Sequence, residues 1–222
     1  GTITYSNGKN PQIQGEHPTA LASVLYDVLN RIALDAALGR ADAYEVDLAI
    51  GPLAHTGPTD VLIMDRNYPS YRGLAELTQR QRHFVIRCSA ASFAAARRML
   101  HGEGPESQRV TLTPWAAQAP LIRQFGLPGT VTVRFVRVRL NPGAWEVLVT
   151  SLHDEAAYPT AGFLELYQRR WGVEIVLAHY GFQSVWQLRD QQLQKGAEQA
   201  FTPDAGVMHE LKEAQVERQF LL

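Results

Sequence analysis

The stretch DVLIMDRNYPSYRGLAELTQRQRHFVIRCS, residues 60–89, reads as strand, loop, helix and strand in succession. Val61–Met64 is an apolar run of strand-forming residues, bounded by Asp60 and Asp65. Pro69 follows in a polar loop and has no N–H to continue a ladder. YRGLAELTQRQRH then carries helical apolar spacing, and FVIRCS returns to a strand pattern. Towards the N-terminus, ALASVLYDVLN and RIALDAALG read as two strands with a turn at Asn30-Arg31. ADAYEVDLAIGPLAH reads as a helix closed by Gly51-Pro52. The order of strands, helix, strand, helix and strand implies an α/β layer structure.

Towards the C-terminus the pattern becomes β-rich. RVTLTPW is followed by VTVRFVRVRL and WEVLVTSL, with Asn141-Pro142-Gly143 as a hairpin signal between the last two. A helix is expected again from about Phe163, in LYQRRWGVEIVLAHYG (residues 166–181). The chain thus divides into a first core part (1–88), a β-rich insertion (89–160), a core helix (161–186) and a glutamine-rich tail (187–222). The end of that tail, VMHELKEAQVERQFLL, is expected to be helical. Residues 1–15 are a polar loop after GTITYS, the tail of a strand. Because residue 1 is glycine, the sequence is expected to be a fragment or a processed product.

Composition excludes several classes. A single cysteine, Cys88, rules out an internal disulfide and a cysteine zinc cluster, and fits a reducing, cytoplasmic setting. No apolar run reaches the roughly 18 residues of a membrane span. The formal net charge is −1, yet twelve arginines between Arg66 and Arg139 face only three acids, Glu76, Glu103 and Glu106. Such a local excess is either a nucleic-acid footprint or a solubilising surface.

Two carboxylates stand out. Asp65 ends an apolar strand, where ligands gather in α/β sheets, although an aspartate there also serves as a turn or cap. Glu174 shares a helix face with Tyr167 and Arg170 at spacings of four and three, away from the apolar positions Leu166, Val173 and Leu177. That face is either a solvated stripe with an Arg170–Glu174 pair or a carboxylate beside a phosphate-binding arginine. There is no HExxH, Walker A or dinucleotide motif, and Ser89 and Ser151 lack a nucleophile elbow. Trp115 and Trp145 in the basic stretch are hairpin packing or candidates for stacking on an unpaired base.

The segments LYQRRWGVE and VLIMDRNYPS together resemble the DDE transposases of insertion-sequence family four. Tyr167, Arg170 and Glu174 occupy the first three places of that family's tyrosine–arginine–glutamate–lysine signature. VLIMDRNYPS is similar to its second-aspartate motif, DRGYPS, with Asn67 at the glycine. The resemblance implies a ribonuclease-H-like mixed sheet with helices, interrupted by a β-rich insertion. It implies Asp65 and Glu174 as catalytic metal ligands for two Mg²⁺ or Mn²⁺ ions, with Tyr167, Arg170 and Arg66 on DNA phosphates. It implies DNA, both element ends and target, as the partner, and a homodimer in the synaptic complex. The triad's first aspartate is expected immediately before Gly1-Thr2, and Asp27, on the second strand, is an unlikely substitute. Gly181 also stands where the signature has lysine, and the sequence beyond it loses the likeness, as a frameshift, a truncation or a divergent end would give. The expectation on activity rests on the first aspartate, without which two carboxylates hold the metal pair poorly. The expected function is therefore phosphodiester cleavage and strand transfer, with this chain inactive alone. The alternative is an inactive DNA-binding or dimerisation module, or a decayed remnant.

Overall fold

The computed structural model describes residues 20–40, 43–141, 144–170 and 219–221. Strands β1 (Ala20–Asp27) and β2 (Ile32–Arg40) form the expected hairpin, and Arg31 at its turn has φ 56°. Helix α1 (Glu45–Ile50) ends at Gly51 and leads into a 3-10 turn, Pro52–His55. Strand β3 (Val61–Met64), helix α2 (Tyr71–Gln79) and strand β4 (His83–Cys88) follow. Ser70 caps α2, its Oγ accepting from Gly73 N at 3.1 Å. This satisfies one of the four amides that a helix start leaves unpaired.

Helix α3 (Ala94–Leu100), strand β5 (Ser107–Leu112) and helix α4 (Ala119–Gln124) come next. Strands β6 (Val131–Asn141) and β7 (Ala144–Thr150) then form the predicted hairpin, with Asn141 opposite Ala144. Helix α5 spans Gly162–Gln168, and strand β8 spans Gln219–Leu221. The two short helices α3 and α4 were not expected. Of the tail read as helical, Gln219–Leu221 is a strand instead; the remainder lies outside the described residues.

One mixed sheet of eight strands results, in the order β2-β1-β8-β3-β4-β7-β6-β5. β8 is antiparallel to β1 and parallel to β3, and β3 is parallel to β4. β7 is antiparallel to β4, so the β-rich stretch after residue 89 continues the same sheet rather than forming a layer of its own. This mixed α/β sheet is the expected fold class. β1, which ends in Asp27, is not paired with β3; β8 lies between them.

Alternation along the strands sends side chains to two buried clusters. Leu62, Met64, Phe84 and Ile86 pack with α1, α2 and α3 residues such as Val46, Leu74 and Met99. Val61, Ile63, Val85, Val136 and Leu148 pack on the opposite face with Phe163 and Tyr167 of α5. That second face positions the site.

Candidate functional site

Asp65 follows β3 directly, and its parity is that of Val61 and Ile63, on the α5 face. Its Oδ1 accepts from Asn67 N at 2.8 Å, an Asx turn that starts the loop before α2. This turn role, weighed against a catalytic one in the sequence, leaves Oδ2 for another partner. Arg66, the next residue, is exposed.

Asn67 does more than tolerate a turn. Its Nδ2 donates to Glu45 Oε1 at 3.4 Å, linking the loop to the first residue of α1. Glu45 titrates above the usual carboxylate range, first because it is partly buried and then because the Asp65 carboxylate repels its charge; the Asn67 bond opposes both. Two carboxylates therefore share this corner of the sheet. Nothing in the sequence separates Glu45 from other helix-start acids, so its place beside Asp65 was missed. Tyr68, in the same loop, reaches Ser23 Oγ at 3.5 Å, and burial pushes its hydroxyl up to about 12.

Arg87 stands one residue beyond Ile86, which pairs with Met64, so it is level with Asp65 on the neighbouring strand. By parity with Val85 it faces α5. Glu146 of β7 shares that face with Leu148. Arg87 Nε donates to Glu146 Oε2 at 2.6 Å, and Nη2 donates to Oε1, making a two-point ion pair. Neither residue was singled out in the sequence, because 59 positions separate them.

Tyr167 completes the group. The sequence placed it on a polar stripe of the helix, yet it is only 2% exposed and packs beside Phe163, one turn earlier. The core face and the candidate site face of α5 are one face. Burial raises the Tyr167 hydroxyl to about 12; the Arg170 and Arg87 charges pull it down, while Asp65 and Glu146 push it up. It therefore keeps its proton at neutral pH and is a donor. Among the described residues it has no hydrogen-bond partner. The Arg170 guanidinium, two residues beyond the end of α5, lies 6.0 Å from the Tyr167 ring centroid. Glu174 lies outside the described residues.

The remaining candidates separate. Trp145 is covered by two guanidinium groups, those of Arg137 and Arg139, at 4.8 and 5.1 Å from its ring. Trp115 is 78% exposed, before α4. Asp27 is 2% exposed and committed to its turn, accepting from Leu29 N, Asn30 N and Asn30 Nδ2. The arginine excess also divides: Arg134 is fully buried, Arg137 nearly so, and Arg72, Arg80 and Arg87 pair with Asp47, Glu76 and Glu146.

Among the described residues no group of three or more histidine, cysteine or acidic side chains is placed to hold a metal. The donor type nevertheless fits a hard divalent cation: Asp65 and Glu45 offer carboxylate oxygens, and their mutual repulsion is what a cation would relieve. Among the described residues no helix is long and apolar enough to cross a membrane. The family model described as Transposase DDE domain matches residues 4–195. No curated protein matches the chain.

Proposed function

Because the chain belongs to the family of transposase DDE domains, we propose that it is a transposase catalytic domain of the insertion-sequence-four type. It cuts DNA at the ends of a mobile element and joins those ends to a target. The observation that carries this reading is the meeting, on one sheet face, of Asp65, the Arg87–Glu146 pair and the Tyr167 hydroxyl. Arg170 follows two residues after α5, four positions before Glu174 in the sequence.

Asp65 and Glu174 are the proposed side chains that would hold the two Mg²⁺ or Mn²⁺ ions through their carboxylate oxygens. When bound, such ions lower the pKa of the attacking oxygen and neutralise charge on the leaving oxygen. Cleavage forms a bond from a water oxygen to phosphorus and breaks the bond to the 3′-oxygen, which leaves as a hydroxyl. In strand transfer that 3′-hydroxyl oxygen attacks a target phosphorus and displaces the target's own 3′-oxygen. The first aspartate of the triad is not assigned to a residue of this chain.

The protein's own groups would bind and orient. The neutral Tyr167 hydroxyl donates to a phosphate oxygen, and the Arg170 guanidinium offers two further N–H groups in a planar fork. Arg66, exposed beside Asp65, contacts the backbone further along the strand. A homodimer brings two element ends together.

The test is nicking of a duplex that carries an element end, in Mg²⁺ or Mn²⁺, by the chain and by Asp65→Asn and Glu174→Gln. Nicking by the parent and its loss in both variants, with DNA binding kept, supports the catalytic reading and overturns the expectation that the chain is inactive alone. Nicking retained by Asp65→Asn refutes the assignment. Salt-sensitive binding without any nicking favours the DNA-binding module instead.

A further inference from the structure

Both oxygens of Glu146 are taken: Oε2 accepts from Arg87 Nε at 2.6 Å and Oε1 accepts from Nη2, so the carboxylate grips one edge of the guanidinium. It differs in this from Asp65, where only Oδ1 is engaged, in a turn. The grip uses the Nε–H and one N–H of Nη2, leaving one N–H on Nη2 and both on Nη1. Among the described residues Nη1 has no hydrogen-bond partner. The Arg87 side chain is 27% exposed against 12% for Glu146, so the arginine is the more open member of the pair. The sheet sets this arrangement: Arg87 is opposite Leu148 in the β4–β7 ladder, and Glu146, two residues from Leu148, is its diagonal neighbour on the same face. Four charges act on the buried Tyr167 hydroxyl, Arg87 and Arg170 positive, Asp65 and Glu146 negative, and they cancel. A site that drew DNA by charge alone would have no use for Glu146, whose carboxylate opposes a phosphate.

We propose that Glu146 is an electrostatic brake on the site: it cancels the charge of Arg87 and holds the guanidinium so that only its free edge is offered to a DNA phosphate. Arg87 then acts through directed hydrogen bonds and not as a free cation, and unrelated DNA is held weakly at the reaction centre. The proposal rests on the transposase reading for its substrate, and it adds a control on that site which the reading leaves out. An unpaired guanidinium attracts any nearby phosphate whatever its angle, because Coulomb attraction between charges depends on distance alone. A two-point carboxylate pair removes that attraction at range and keeps the planar fork of donors, whose geometry matches two oxygens of one phosphate. The pair is held together by burial: Glu146 is only 9% exposed, and parting it from Arg87 would leave its charge uncompensated. With both oxygens on Arg87, Glu146 is also not the carboxylate a metal ion would take.

The experiment measures binding of a duplex of unrelated sequence by fluorescence anisotropy, without divalent metal, across a salt series. Each phosphate neutralised by a protein cation adds about 0.9 to the slope of log affinity against log salt. Glu146→Gln keeps the shape of the side chain and frees the charge of Arg87, so its slope should be steeper than the parent's by about 0.9. Each tenfold dilution of salt should then tighten its binding about 8-fold more than the parent's. The double variant Arg87→Gln/Glu146→Gln, which removes both charges, should return to the parent's slope. In NMR spectra of the parent, the Arg87 Nε–H signal should persist at saturating duplex, because Glu146 stays in place. Cooperative urea unfolding shows that the variants fold, and the double variant decides alone if Glu146→Gln does not. The proposal is overturned by a slope in Glu146→Gln equal to the parent's. It is equally overturned by a double variant with a shallower slope than the parent, since Arg87 then already acts as a free cation. Loss of the Nε–H signal on duplex binding also overturns it, since the phosphate then displaces Glu146. An unchanged slope with DNA still bound removes the brake alone, whereas no duplex binding by the parent or any variant sinks the transposase reading with it.

Discussion

Replacing Tyr167 by phenylalanine should separate stability from function. The Tyr167 ring is almost wholly buried against Val136, Leu148 and Phe163, while its hydroxyl is buried without a hydrogen-bond partner among the described residues. An unsatisfied buried hydroxyl costs about 1–3 kcal/mol relative to its hydrated state. Tyr167→Phe removes the oxygen and keeps the packing, so folding should become more favourable by about 1 kcal/mol. With a urea slope of roughly 1–3 kcal/mol per molar, the midpoint should rise by roughly 0.3–1 M at unchanged slope. Tyr167→Ala removes the ring as well and should cost about 3–5 kcal/mol. Function should move the other way. A hydrogen bond to a charged group contributes about 1.5–3 kcal/mol, so loss of the donor should weaken binding of an element-end duplex by roughly 10- to 100-fold. Equilibrium urea unfolding by circular dichroism and fluorescence anisotropy read the two effects. A variant destabilised by 1 kcal/mol or more would refute the orphan-hydroxyl argument, and unchanged DNA affinity would remove Tyr167 from the phosphate site.

Arg134→Ala should destabilise the fold by about 3–5 kcal/mol, because its guanidinium donates to Ser107 Oγ, Leu152 O, Tyr158 O and Thr160 Oγ1. Amide exchange in α5 should quicken in the same variant, since three of those acceptors lie on the connection that leads into it. Cys88 is fully buried, and burial pushes its thiol well up, so it should resist thiol reagents at pH 8 until the chain unfolds. Rapid native labelling would contradict its place in β4. For Glu45 the folded pKa lies above the unfolded value of 4.5, so the stability tied to its protonated form is lost as pH rises through the folded pKa. Glu45→Gln should therefore match the parent near pH 4 and exceed it near pH 7; parent and variant midpoints equal at both pH values would show that neither burial nor the Asp65 charge raises the Glu45 carboxyl.

Local order was legible along much of the chain. An apolar run that ends in Asp65, a proline that cannot continue it, and a serine that caps the next helix define β3, its loop and α2 by contacts within a few residues. The β1–β2 and β6–β7 hairpins follow from alternation and turn residues in the same way. Helices α3 and α4, seven and six residues long, are too short to show a period, and Pro120 in the first turn of α4 reads as readily as a loop. β8 escaped for a different reason: Gln219–Leu221 is a strand because β1 and β3 flank it, and its own residues carry no such signal.

The arginine excess shows the limit of composition. Charge counting treated Arg66 and Arg134 alike, yet one is exposed in a loop and the other is sealed among four acceptors. The sequence by itself determined the α/β class, the hairpins and the strand end at Asp65, because periodicity, capping and turn chemistry act between near neighbours. Only the tertiary structure decided that Tyr167 turns into the core, that Glu45 comes beside Asp65, and that Arg87 meets Glu146. Those meetings depend on which strands lie side by side and in which register, and a single-residue slip in register would send each side chain to the opposite face of the sheet.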